Sequence, residues 1–539
     1  MDPCSWDKGR VMAQSFRSLV SLLAIGVVCV VGTAAEPIAS HRSPFIGAFE
    51  RFSRNDDTDD SLGGALLISE LSCSACHATR DPQLAAKGGV DLTSTGVRLR
   101  ATWLNRYLAD PAATKPGSTM PHMLFGLPTS TREDSASALA AFLSTQRKPF
   151  PTIKATGAMP VVHEFWKRGN PQRGTEIYHT VGCVACHEPD PEYETSAAKP
   201  SAIDQLISQL DPDEVAALGL AGAARRVESV PHGDLAAKYT RRSLTMLLLD
   251  PALTRPHARM PSLRLSPSEA ADIAAHLLPE PGDEIAGTAS RDQPLIERGR
   301  SLFVQLRCAN CHRTIGSGQP IRSKPLEQLD VAAKSSCLAN PARGMPSYKL
   351  DAQQVAAIKS RLAGSSTTRS SRARQTAATQ AVHFRMMQLN CYACHQRDVG
   401  ASGRVAPGGI GRYRKPYFET VGQVDLGDEG RFPPTLTGVG RKLLPKSLAA
   451  VFRAPQLPRR SFLKIRMPAY HPDVVKTLLE GLPAADQADA SSAAQVFGDL
   501  QDLADEGREI VGTGCVECHT FRGEGLPGVV GVDLAGMTD

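Results

Sequence analysis

A chain of 539 residues with 45 glycines and 39 prolines is long enough for several small domains rather than one core. Its net charge of +6, spread over that length, supplies neither a basic stripe for nucleic acid nor a patch for an anionic membrane surface. Aromatic residues make up only 5% of the chain, so each small domain needs buried apolar area from another source.

Lys8, Arg10 and Arg17 precede an apolar run over 19–31, followed by Gly32-Thr-Ala-Ala35 and Glu36. This is the charged, apolar and small-residue order of a secretory signal, which predicts a signal peptide over 1–35 and a mature chain beginning near Glu36. Such a leader predicts export from the cytoplasm. The run is short for a membrane span and no later stretch approaches the length needed, so an integral span is expected only if the leader stays uncleaved.

One pattern then recurs five times: Cys73-Ser-Ala-Cys76-His77, Cys183-Val-Ala-Cys186-His187, Cys308-Ala-Asn-Cys311-His312, Cys391-Tyr-Ala-Cys394-His395 and Cys515-Val-Glu-Cys518-His519. Two cysteines on one helical turn present both thiols to one edge of a porphyrin, and the next residue brings an imidazole under its iron. Each copy therefore reads as a c-type haem attachment site, five in all, with His77, His187, His312, His395 and His519 as proximal iron ligands. Zinc would need four ligands per site, and no second pair accompanies each copy. A disulfide within so short a pair would be a poor staple. Of 13 cysteines, ten belong to the motifs and Cys4 and Cys29 to the leader. Cys337 remains, and reads as a small buried hydrophobe.

The motifs sit in a repeated unit. Gly64, Gly174, Gly299 and Gly507 stand eight or nine residues before the first cysteine, with His383 at that position in the fourth unit. Apolar residues at helical spacing, such as Ile177 with Tyr178 and Leu302 with Phe303, fill the interval. After the motif come an Asp-Leu or Thr-Leu step (Asp91-Leu92, Asp234-Leu235, Thr435-Leu436), a helix ending in Asp-Pro or Ala-Pro (Asp110-Pro111, Asp250-Pro251, Ala454-Pro455) and a loop carrying Met-Pro. The methionines are Met120, Met260, Met345 and Met467. A last helix follows, opened in the second unit by the capping box Ser266-Pro-Ser-Glu269 and in the third by Asp351 with Gln354.

The resulting boundaries are 45–148, 166–280, 294–363 (compact), 379–483 and 497–539 (truncated). Linkers rich in Pro, Gly, Ser and Ala are expected over 149–158, 279–292, 364–378 and 483–494. Insertions over 189–230 and 397–431 read as loops, with lids or docking surfaces as the alternatives. In the fifth unit Val532-Asp533-Leu534 corresponds to Val90-Asp91-Leu92, so Met537 falls too early to match the other methionines. The expectation there is a fragment, or a haem with an open face.

The order helix, Cys-x-x-Cys-His, Met-Pro loop, helix resembles the class I c-type cytochromes, and most of all the tandem multihaem cytochromes of the bacterial cell envelope. The resemblance covers nearly all of the chain after the leader. It implies a mainly α fold, a string of small domains each wrapped round a covalent haem and joined by flexible linkers. It also implies axial ligation by Met120, Met260, Met345 and Met467 opposite histidine, single-electron transfer rather than catalysis, and redox protein partners. His122, His257 and His471 are rival ligands, and Arg259, Arg343 and Arg466 are candidates to meet haem propionates. The alternatives are a haem enzyme, a peroxidase or reductase with one open haem such as the fifth, and a sensor that uses haem structurally. An open, high-spin iron would separate the first alternative from the carrier.

Overall fold

Helices carry nearly all of the regular structure of this computed structural model, and among the described residues β-structure is limited to isolated bridges. Described are residues 43–55, 60–153, 161–195, 202–218, 227–257, 259–280, 290–314, 322–364, 377–397, 408–419, 430–453, 463–470, 472–493, 500–513, 515–517, 519–525 and 534. The leader, Ala454-Pro455, His471, Cys518, Met537 and much of the linkers and insertions lie outside them.

The principal helices are α1 (Asp60–Glu70), α2 (Ala101–Ala109), α3 (Thr129–Ser144), α4 (Pro171–Thr180), α5 (Arg241–Leu249), α6 (Pro267–Leu277), α7 (Gln293–Gln305), α8 (Ala352–Leu362), α9 (Ala377–Gln388), α10 (Pro445–Arg453), α11 (Pro472–Ala493) and α12 (Leu500–Thr513). Their starts are written in the sequence. Ser266 and Glu269 close a reciprocal capping box on α6 with Pro267 at its first position, and Asp351 with Gln354 does the same on α8. Asn170 caps α4 ahead of Pro171, and Asp292 caps α7.

The glycine of each of the first three units marks a helix crossing, whereas a Cβ built on Gly507 of the fifth meets nothing within 4 Å among the described residues. A Cβ built on Gly174 of α4 would stand 2.0 Å from the Asp272 carbonyl oxygen of α6, so the two backbones touch there and only glycine fits. The same contact joins Gly64 of α1 to Ala357 of α8, and Gly299 of α7 to Ala138 of α3, each at 2.0 Å. In the fourth unit α9 packs on α11, but the glycine has changed sides: Gly481 of α11 faces Val382, whose Cγ2 would lie 2.7 Å from an added Cβ. His383 is thus corrected as the residue at the crossing. It lies one residue further along, buried, with Nδ1 2.7 Å from the Tyr392 hydroxyl.

These crossings sort the units into two kinds. The second and fourth close on themselves, α4 on α6 and α9 on α11. The first and third do not: α1 packs on α8 and α7 on α3, so each unit's opening helix lies against the other's closing helix. One apolar core accordingly joins Phe49 and Leu66 to Ile358, Val382 and Leu478, and a second joins Trp103 and Leu139 to Tyr178, Ile273 and Phe303. The expectation of separately packed domains on flexible linkers is corrected by these shared cores, and residues 42–539 form one compact unit. The linker expected from 483 is likewise helix, since α11 runs on through Pro483. Beyond that proline, Ala485 and Asp486 are buried, and Asp486 meets Arg397 at 2.6 Å with both side chains 3% exposed.

Candidate cofactor sites

All five motifs take one local form, a short 3-10 turn at the end of a helix. In the first four the turn is entered through a left-handed residue, Ser72, Gly182, Arg307 or Asn390. The amide of each motif histidine donates to the carbonyl of the motif's first cysteine at 2.9–3.0 Å, His519 included.

What fixes each imidazole comes from elsewhere in the chain. The Nδ1–H of His187 donates to the Val230 carbonyl at 3.0 Å and that of His395 to Pro434 at 2.7 Å, both within their own units. His77 instead donates to Lys324 of the third unit at 2.7 Å, and His312 to Val90 of the first at 2.9 Å. With Nδ1 bound in this way, Nε2 is the nitrogen left for a metal. A second bond repeats the pattern: a leucine amide reaches the carbonyl just after the histidine, Leu436 to Gln396 at 2.8 Å, Leu92 to Arg313 at 2.8 Å, Leu326 to Ala78 at 2.9 Å and Leu534 to Thr520 at 2.9 Å. Leu534 therefore occupies the place that its likeness to Leu92 predicts. In the second unit the expected step at Asp234-Leu235 is corrected, because Asp234 caps a short helix instead. The corresponding position, two residues after Val230, is His232, which stacks on His187 with ring centroids 4.1 Å apart.

A cavity of about 500 Å³ runs past His187, His312 and His395 and past Met120, Met260 and Met467, within the size range of cofactor pockets. Leu99, Trp103, Leu104, Leu139, Leu143 and Phe303 give it apolar walls, and Cys183, Cys186, Cys308, Cys311, Cys391 and Cys394 open onto it. Leu71 and Tyr348 reach its wall, while Cys73, Cys76 and His77 are half-buried and Met345 lies toward the surface, 38% exposed. Burial pushes the thiols of Cys73, Cys183, Cys308 and Cys391 up to about 12 and that of Cys311 to about 11. Such surroundings suit neutral sulfur, as in a thioether, better than the thiolates of a zinc site. Burial also holds the imidazoles of His312 and His395 below their ordinary value, and takes His187, beside His232, down to about 3.

One feature of the walls had no sequence signal. Arg98, Lys115, Lys238 and Arg255, from the first and second units, come together on the cavity. Burial, reinforced by their mutual repulsion, lowers Lys115 to about 8 and Arg98 to about 10. Among the described residues none of the four is in an ion pair. Lys238 lies 4.5 Å over the Trp103 ring, Arg255 donates to the Tyr239 hydroxyl at 2.6 Å, and the Nε atoms of Arg98 and Arg255 are buried without a partner. Four cations facing an apolar cavity, Arg98 and Lys238 buried and Lys115 and Arg255 half-buried, fit an occupant that is flat, apolar and edged with carboxylates, as haem is.

Of the basic residues picked out beside the methionines, Arg259 pairs with buried Glu70 and Arg466 with Glu269 at 2.6 Å, while Arg343 is exposed beside Gly126. His122 is buried but outside the cavity wall, its ring edge-on to Phe125, and exposed His257 lies against Gly88. Cys337 is half-buried near Cys73 and Cys76. No family model, curated protein or solved structure matches the chain.

Proposed function

We propose that this chain is a multihaem c-type cytochrome of the bacterial cell envelope, exported by its leader and carrying single electrons between redox proteins. The observation that carries the reading is the repetition of one constellation. Paired cysteines and an imidazole held at Nδ1 by a backbone carbonyl recur in four copies, three of them on a shared apolar cavity with a methionine from a Met-Pro loop on its wall. In this reading the haem supplies the one-electron couple. The chain's residues would hold it: the motif cysteines as thioethers, with His77, His187, His312, His395 and His519 and Met120, Met260, Met345 and Met467 as the ligands offered to iron. Thioether sulfur favours Fe(II), and six-coordinate iron has no free position for substrate, so such sites carry electrons rather than catalyse. Apolar walls keep water from the macrocycle, and Arg98, Lys115, Lys238 and Arg255 balance its carboxylates. Among the described residues no helix is long and apolar enough to cross a membrane.

The test is the intact mass and spectrum of the chain produced in a host that attaches haem c. Five covalent haems are expected, with a low-spin spectrum for the first four. Three or fewer would defeat the reading, and a first-to-fourth haem that binds cyanide readily in the wild type would move it toward the haem enzyme.

A further inference from the structure

We infer that the first and third haem sites are built jointly by two units, with Met345 serving the iron held by His77 and Met120 the iron held by His312. The inference rests on the haem reading above and concerns which residues make up each site.

Three independent contacts point the same way. The carbonyl that fixes each motif histidine comes from the other unit, Lys324 for His77 and Val90 for His312. The helices that flank each motif are likewise exchanged, α1 with α8 and α7 with α3. The methionine loops follow. In the self-contained fourth unit Tyr470, three residues after Met467, donates its hydroxyl to the Leu389 carbonyl, two residues before Cys391, at 2.9 Å. Tyr348, three residues after Met345, makes the same bond at 3.0 Å, but to Leu71, two residues before Cys73. The loop of Met345 is therefore seated over the first motif as that of Met467 is over the fourth. Reciprocally, Met120, Trp103 and Leu139 of the first unit share the cavity with Cys308, Cys311 and His312, and Phe142 meets Phe303 with centroids 5.6 Å apart.

The exchange is tested in the full chain carrying its haems, by counting carbon monoxide bound per chain. Met345→Ala and Met120→Ala should each add one site. In a background without the first haem, made by Cys73→Ser with Cys76→Ser, Met345→Ala should add none while Met120→Ala still adds one. The opposite pattern, with Met120 silent and Met345 active, overturns the exchange while leaving the haem reading intact. A chain that takes up no haem overturns both. Hydrogen exchange decides the matter should the cysteine variants misfold: Gly64→Ala should speed exchange roughly tenfold or more in α8. Speeding confined to α1 and α3, the partners within one unit, overturns the proposal.

Discussion

The pair formed by the first and third units and the pair formed by the second and fourth make matching contacts with different connectivity. In both pairs the residue two after each methionine forms an antiparallel bridge, His122 with Ser347 and Ser262 with Ala469. In both, an asparagine at a motif reaches a cysteine of the partner, Asn310 from within the third motif to Cys76 at 3.1 Å and Asn390 from just before the fourth to Cys186 at 3.4 Å. Yet only one pair trades helices. A repeat specifies which surfaces meet, and copies alike enough to substitute for one another can satisfy that specification within a unit or between units. The entropy of closing a longer loop grows only logarithmically, so the exchange within one chain costs little. This is the intramolecular counterpart of swapping between protomers.

The largest expected contrast follows from removing one motif's cysteines in each pair. Cys183→Ala with Cys186→Ala should open α4 and α6 of one unit. Cys308→Ala with Cys311→Ala should open α7 together with α3, a helix of the first unit, because α7 leads into the third motif and packs on α3. Hydrogen exchange resolved by peptide reads both, since local opening is reported helix by helix. Protection of α3 that survives the second variant would break the comparison.

Next in size is the ion pair tying the pairs to each other. Glu70 of α1 is buried, and although burial alone would raise its pKa, Lys87 and Arg259 together hold it below the usual value. Arg259→Ala, leaving that carboxylate short of a partner, should cost about 3–5 kcal/mol in denaturant unfolding. The carboxylate's contribution is complete above its ordinary unfolded value of about 4.3 and is lost as the pH falls through the depressed native one. Glu70→Gln should therefore flatten the acid limb of the stability curve. Arg466 with Glu269, a partly exposed pair between the fourth and second units, should matter by less than about 1 kcal/mol.

The crossings give a smaller and sharper contrast. At Gly64 an added methyl meets backbone, the Ala357 carbonyl, which cannot step aside, so Gly64→Ala should cost about 3 kcal/mol. At Gly481 it meets a valine methyl that can rotate, so Gly481→Ala should cost about 1 kcal/mol. Equal costs would mean that the neighbour at Gly481 yields no more than the carbonyl at Gly64.

Much of this was legible in the residues. Capping boxes at Ser266 and Asp351, the glycines at the crossings and the five motif turns are local signals, and they stand where local chemistry puts them. The exchange was not legible, because Lys324 and Val90 offer the same backbone carbonyl and nothing in either side chain names the histidine that will use it. The moved glycine was hidden for a related reason: the crossing needs one small residue, and either helix can supply it. Asp234-Leu235 looked like the step after the motif because the insertion before it shifts the count, while His232 fills the place without resembling leucine. The cations on the cavity were invisible since Arg98, Lys115, Lys238 and Arg255 are scattered in sequence and meet only in the fold.

The smallest expected effect tests connectivity with one oxygen atom in each pair. Tyr348→Phe and Tyr470→Phe each delete a hydroxyl that donates to the carbonyl just past a helix end, at Leu71 or at Leu389. Loss of one such bond to a neutral carbonyl should cost about 1 kcal/mol. The two should be nearly equal in size and different in place. Tyr470→Phe should loosen the end of α9, in the unit that carries the substitution, whereas Tyr348→Phe, made in the third unit, should loosen the end of α1 in the first. Amide exchange at 70–72 against 388–390 reads the difference directly. If Tyr348→Phe left 70–72 unchanged and loosened only the third unit, the tyrosine would be closing its own unit, and the two pairs would be built alike.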